Sequence, residues 1–195
     1  MKLWIATSNK GKLREFQSIA QNMKLEIYSP NEFKSYFYPD ETGSTFEENA
    51  RIKAKALKSF CADDWVLAED SGLVVEGLNG MPGIHSARYA GDNASDAENV
   101  NKLIKMLSIR SPQNRNASFQ CAMVALSPTN EEFIFNGEIK GQIAKHMSGS
   151  SGFGYDPIFI PEGENKSFSD LGPAFKNKVS HRRKAFENFL EKVMR

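Results

Sequence analysis

The chain has 195 residues, 40% of them hydrophobic and 25% charged, and its 25 Lys and Arg balance 24 Asp and Glu to leave a formal charge of +1. That length implies one domain over 1–195, and the apolar content, with 14 Phe, is enough for a packed core. The even charge balance argues against a general nucleic-acid coat or a membrane-surface binder, both of which usually show a basic excess or a basic face, so any anion bound here is held by local arrangement.

The apolar opening of residues 1–7 is too short for a secretory leader or a membrane span, and no later stretch is long enough either. Cys61 and Cys121 are isolated, with no Cys or His cluster beside them. Two small buried residues in a reducing compartment are expected, hence a cytoplasmic protein.

In chain order, residues 3–7 read as a short buried strand. Leu13, Phe16, Ile19, Ala20 and Met23 then recur at helical spacing and predict a helix over 11–22. Residues 25–29 form a second strand, completing a strand-helix-strand start. Thr45-Phe46-Glu47-Glu48 has capping-box spacing ahead of a helix over 45–60, in which Phe46, Ala50, Lys53, Ala54 and Leu57 share a face. The apolar runs 65–68 and 73–75 read as two core segments broken by an acidic turn at Glu69-Asp70-Ser71-Gly72. Residues 79–94, rich in Gly and Pro, read as a long ordered loop, and loops of that length in compact domains are usually functional. Ser95-Asp96-Ala97-Glu98 is a second capping box, leading a helix with Val100, Leu103, Ile104 and Leu107 on its core face. Residues 119–126 and 132–139 predict a hairpin, so the sheet is expected to be mixed. Ser180 can cap a last helix carrying Ala185, Phe186, Phe189, Leu190 and Val193.

Several constellations bear on chemistry. Ser8, Asn9, Lys10, Gly11 and Lys12 follow Thr7 where a strand feeds a helix, a place that offers backbone N–H groups, the positive end of the helix dipole and a lysine for a phosphate. The alternative is an ordinary polar cap with a solvated lysine. Glu69 and Asp70, and likewise Asp40 and Glu41, pair carboxylates that suit a hard divalent ion and a proton-accepting base, or else mark ordinary acidic turns. Asn49 and Lys53 lie on the core-facing stripe of their helix. Either Lys53 snorkels to water, or it neutralises phosphate beside the acidic site. Phe153 and Tyr155, alternating with Gly152 and Gly154 before Asp156, suit stacking on a base or an aromatic core strand. Lys176, His181 and Arg182 present donors that can read carbonyl oxygens, or form a solvated face.

Taken in order, Ser8-Asn9-Lys10-Gly11-Lys12, Glu41-Thr42-Gly43 with 45–50, Glu69-Asp70-Ser71-Gly72-Leu73, residues 82–89 (Pro-Gly-Ile-His-Ser-Ala-Arg-Tyr), residues 152–157 and Ser180-His181-Arg182 resemble the inosine/xanthosine triphosphate pyrophosphatase family over nearly the whole chain. The resemblance implies an α/β fold with a mixed, elongated sheet flanked by helices and two lobes enclosing an active-site cleft. It also implies a cytoplasmic homodimer that uses Mg²⁺ and binds neither nucleic acid nor membrane. The implied reaction hydrolyses nonstandard purine nucleoside triphosphates (ITP, dITP, XTP) to the monophosphate and pyrophosphate, clearing deaminated purines from the nucleotide pool and keeping them out of DNA and RNA. Carried over residue by residue, it puts the triphosphate on Thr7, Ser8, Asn9, Lys10, Gly11 and Lys12 with Lys53. It makes Asp70 the general base and a metal ligand, with Glu69 beside it, Glu41 the second metal carboxylate and Ser71 touching substrate. Phe153, Gly154, Tyr155, Asp156, Lys176, His181 and Arg182 would enclose and read the purine. Glu69 stands where many relatives have aspartate, and Pro173-Ala174-Phe175 precedes the lysine where many are acidic.

Those residues also satisfy the chemistry on their own terms: attack of water on the α-phosphorus needs a base, a cation for the phosphoryl oxygens and fixed donors on the leaving pyrophosphate. Three other readings compete. A pyrophosphatase for modified pyrimidine or ordinary nucleotides differs in base preference. A non-enzymatic nucleotide-binding module is disfavoured because carboxylates beside phosphate repel it unless a metal intervenes. An RNA-binding module using the aromatic strand is disfavoured by the charge balance.

Overall fold

Alternation along the first strand sets the layering. In the computed structural model, which describes residues 1–21 and 23–193, β1 (Lys2–Ile5) buries Leu3 and Ile5 in one apolar cluster and Trp4 in another. A strand buried on both faces needs helices on both sides, and parallel pairing is usual there. Accordingly β1 runs parallel to β2 (Glu26–Tyr28) and to β3 (Trp65–Val75), with Leu3 opposite Trp65 and Ile5 opposite Leu67.

The strands form one six-stranded sheet in the order β2-β1-β3-β4-β5-β6. β4 (Asn116–Leu126) and β5 (Glu132–Ile143) are the expected hairpin: Ser127 N–H donates to Glu131 O at one end and Ile143 N–H to Arg115 O at the other, so they run antiparallel. β6 (Phe159–Pro161) pairs antiparallel with β5. A mixed sheet with flanking helices is therefore the observed class, as expected. Gly141 of β5 is required by closeness, since a Cβ there would stand 2.3 Å from Ile160 O across the pair.

The chain divides into two compact units. The first comprises residues 1–70, 121–136 and 183–195. Its α1 (Lys10–Ile19) and α6 (His181–Val193) contribute Phe16, Ile19, Phe186 and Phe189 to one cluster with Leu3, Ile5 and Leu67. α2 (Phe46–Lys58) contributes Ala50, Ala54 and Leu57 to the other, with Trp4, Val66 and Ala68. The second unit comprises residues 71–120 and 137–182. Its core joins Val100, Leu103 and Leu107 of α3 (Asp96–Arg110) to Leu73, Phe119, Ile158, Phe159 and Phe168. No helix among the described residues is long and apolar enough to cross a membrane.

Several expectations need correction. β3 is one unbroken strand and not two segments around an acidic turn, because both carboxylates of the supposed turn are paired with lysines and so tolerate a strand interior. The stretch 79–94 holds a six-residue 3-10 turn, Gly83–Arg88, whose irregular sequence conceals it. The α1 boundary expected at Asn22 lies outside the described residues, and the helix ends at Ile19. Two short helices, α4 (Phe168–Leu171) and α5 (Pro173–Val179), had no periodicity to announce them. The capping box at Ser95 forms in full. At Thr45 only half forms: its hydroxyl accepts from Glu48 N–H, while the Glu48 carboxylate turns to the N–H and hydroxyl of Ser44.

Candidate active site

In the first unit, α2 directs two polar side chains into an apolar layer. Asn49 is fully buried and donates from Nδ2 to Asp70 Oδ2 (3.2 Å), while its Oδ1 accepts from Gly43 N–H (2.8 Å). One turn on, Lys53 Nζ donates to Asp70 Oδ1 (3.1 Å) and to Glu41 Oε1 (2.7 Å). The i, i+4 spacing thus gives one helix face both a neutral and a charged donor for the same carboxylate. Burial pushes the Asp70 carboxyl above the ordinary aspartate range, against the opposing pull of Lys53 and Lys12. Burial also opposes the charge on Lys53, yet Asp70, Glu41 and Glu69 together hold its ammonium above the usual lysine value.

Glu69 is directed to the other side of β3, as strand alternation requires. Its side chain is fully buried and bridges Lys12 Nζ (2.8 Å) and Cys121 Sγ (3.4 Å). Lys12 comes from the first turn of α1. There Asn9 is the N-cap, and its Oδ1 accepts from Gly11 N–H (2.8 Å) and Lys12 N–H (3.0 Å). The backbone donors expected for phosphate at those two residues are therefore engaged by the cap, an arrangement that Asn favours at this position. Thr7 is buried and its hydroxyl accepts from Asn9 N–H, whereas Ser8, Asn9 and Lys10 are exposed. Tyr38 donates its hydroxyl to Thr7 O (2.9 Å), tying the segment that precedes Glu41 to this turn.

The donor set can be tested against a divalent cation. Glu41 and Asp70 each direct an oxygen at Lys53 Nζ, so two hard ligands converge on one point that already carries positive charge. No group of three or more His, Cys, Asp or Glu that could hold a metal occurs among the described residues. Two carboxylates suit a hard divalent cation that keeps several waters, and not a site enclosed entirely by protein.

In the second unit, the segment 152–156 is a tight turn. Asp156 Oδ2 accepts from Phe153 N–H (3.0 Å) and from Lys176 Nζ (2.7 Å), and the Lys176 ammonium also lies 4.2 Å from the Phe153 ring centroid. Gly152 has φ +84°, and a Cβ there would stand 2.2 Å from Asp156 Oδ2, so only glycine fits. Gly154 N–H donates to Asp96 Oδ2 (2.6 Å). Tyr155 is buried in the core with its hydroxyl on Ser86 O (2.9 Å), which makes it an anchor of the turn and leaves Phe153 as the ring suited to stacking. Lys176, His181 and Arg182 are all buried, not a solvated face. His181 stacks on Phe119 at 4.9 Å and 10°, and Arg182 Nη2 donates to Ser71 Oγ (2.9 Å).

Sequence reasoning placed Asn49 on the core stripe and gave it no task. Asp96 and Cys121 carry no signal beyond a cap and a buried thiol, and Ser86 lies in the 82–89 string without a task of its own.

Fold and site together describe a mixed α/β protein with lysine-paired carboxylates in one unit and a buried cluster of basic side chains in the other. The chain belongs to the Ham1 family, whose sequence model matches residues 3–192. A relative from Bdellovibrio bacteriovorus named dITP/XTP pyrophosphatase is 54% identical, over 99% of this chain and 98% of its own. Among solved structures, a HAM1 protein from Coxiella burnetii superposes with a TM-score of 0.89 at 37% identity, covering 100% of this chain and 98% of that one. The Staphylococcus aureus Ham1 protein gives 0.86 at 39%, with the same coverage.

Proposed function

We propose that this protein hydrolyses nonstandard purine nucleoside triphosphates, ITP, dITP and XTP, to the monophosphate and pyrophosphate, with 1–195 acting as one catalytic domain. The observation that carries the reading is the buried Asp70 carboxylate, held by Lys53 on one oxygen and Asn49 on the other, with Glu41 on the same lysine. A carboxylate whose affinity for a proton is raised by burial suits a base for water. Asp70 takes a proton from the attacking water as its oxygen bonds to the α-phosphorus, and the α-β bridging oxygen leaves with pyrophosphate. Lys53 and Lys12 balance charge on the phosphates, and Ser8, Asn9, Lys10 and Gly11 frame the chain of phosphates. Glu41 and Asp70 would hold Mg²⁺, which when bound would supply further neutralisation of the phosphoryl oxygens.

The purine is read by Phe153, Gly154, Asp156, Lys176, His181 and Arg182, with Tyr155 supporting the turn and Ser71 touching the substrate. Buried donors on Lys176, His181 and Arg182 suit a 6-keto oxygen, whereas the 6-amino group of adenine leaves them unsatisfied. The enzyme works in the cytoplasm as a homodimer. The test is hydrolysis of ITP in ¹⁸O-water: label in IMP is expected, and label in pyrophosphate, or release of orthophosphate with IDP, would overturn the reading.

A further inference from the structure

The string at 82–89 carries much of the family resemblance, yet none of its side chains has a task in the reaction just described. Its structure is a 3-10 turn clamped from several directions, all within the second unit. Asn99 of α3, almost wholly buried, accepts at Oδ1 from Ala90 N–H (2.7 Å) and donates from Nδ2 to Ala87 O (3.1 Å). Ser86 directly precedes the clamped Ala87 and makes three bonds. Its Oγ accepts from Leu73 N–H of β3 (2.9 Å) and donates to Gly83 O (2.6 Å), while its carbonyl accepts the buried Tyr155 hydroxyl (2.9 Å).

The chemistry of each bond is restrictive. A strand N–H held by a side-chain hydroxyl is fixed by one rotamer of one residue, and Leu73 lies two residues beyond Ser71. Tyr155 is only 4% exposed, so its hydroxyl needs a partner inside the protein, and it donates to Ser86 O. Any shift of Ser86 therefore moves the end of β3 and the 152–156 turn together.

We propose that Ser86 is a positioning residue for base selection: by bonding both Leu73 N–H and the Tyr155 hydroxyl, it keeps the purine-reading turn in register with the Ser71 end of β3. Phe153 lies two residues before Tyr155 and Asp156 directly after it, so anchoring the hydroxyl fixes where the turn stands. Asp96, through Gly154 N–H, holds the same turn by a second contact. The inference rests on the reading that 152–156 recognises the purine.

Two variants with different weaknesses test it. Tyr155→Phe removes only the hydroxyl, and Ser86→Ala removes only the hydroxyl that holds Leu73 N–H and Gly83 O. The measurements are kcat and KM for ITP and ATP, together with amide hydrogen exchange at residues 153–156. Tyr155→Phe, which loses one buried hydrogen bond, is expected to raise KM for ITP about tenfold, and Ser86→Ala, which loses two, by at least as much. In Ser86→Ala, ATP turnover and kcat for ITP stay nearly unchanged, and in both variants exchange at 153–156 quickens by a similar factor. Ser86→Thr, which keeps the hydroxyl, restores the wild-type ITP:ATP ratio. A folded Tyr155→Phe protein with wild-type KM and exchange would overturn the proposal, as would equal losses on ITP and ATP in either variant. A wild-type enzyme without preference for ITP would instead overturn the assignment of the purine turn, which separates the two failures.

Discussion

Lys53 Nζ lies 3.1 Å from Asp70 Oδ1, and that one contact joins the charge of α2 to the acidic end of β3 in the first unit. Burial alone would favour a neutral lysine and a protonated aspartate, so their proximity is what keeps both charged forms available. Asp70→Asn preserves size and a carbonyl acceptor for Lys53 but removes the proposed base and one proposed metal ligand. A fall in kcat of about 100-fold or more is expected with the fold intact, read by steady-state kinetics alongside circular dichroism. EDTA is expected to abolish turnover of the wild type, and full activity in its presence would remove the cation from the reaction.

Phosphate contacts carry no information about the base. Lys12→Ala and Lys53→Ala are therefore expected to slow every triphosphate by similar factors. A strong change in the ITP:ATP ratio with ITP spared would move that lysine to the base pocket. Lys53→Ala also leaves two carboxylates facing one another without their cation. It is expected to lower stability by about 3 kcal/mol in denaturant unfolding, the usual scale for stripping one partner from a buried pair.

How far the sequence revealed this site depended on which residues had a local signature. The α2 cap, the α3 capping box and the hairpin follow from short-range rules, and they form where side-chain chemistry demands. The acidic stretch at Glu69-Asp70 does not read as strand, because carboxylates are disfavoured there until lysines from α1 and α2 reach them. Burial of Lys176, His181 and Arg182 was equally hidden, since a run of basic residues looks the same whether solvated or folded over Phe119 and Ser71. The task of Asn49 had one legible clue, an amide on an apolar stripe. Its partners, Gly43 and Asp70, are set by tertiary structure alone.

Acid sensitivity follows from the caps. Bonds from Ser95 hold the Glu98 carboxyl below its ordinary value of 4.5, and bonds from Ser44 do the same for Glu48. A carboxyl depressed in the folded state adds stability above its unfolded-state value and loses it as pH falls through the folded one. The melting temperature is therefore expected to decline below about pH 4.5. Glu98→Gln should melt below the wild type at pH 7, with the gap closing in acid. A gap unchanged between pH 7 and pH 3 would contradict this.

His181→Ala and Arg182→Ala are expected to slow ITP and XTP by about 10-fold or more while leaving ATP little affected, because on the proposed reading the lost donors serve a 6-keto oxygen that adenine lacks. Equal slowing of all substrates would mean that these buried side chains hold the fold or the phosphates. Ser71→Ala removes the hydroxyl that Arg182 Nη2 meets at 2.9 Å, and it is expected to reproduce part of the Arg182→Ala effect. Double-mutant kinetics would reveal the shared contact as non-additivity.

The most direct measurement is kcat/KM for pyrophosphate release across ITP, dITP, XTP, GTP and ATP, with Mg²⁺ present. Preference for the 6-keto nonstandard purines over ATP by at least about 100-fold is expected, the discrimination that one or two unpaired buried donors supply. ATP hydrolysed as readily as ITP and XTP would contradict the account.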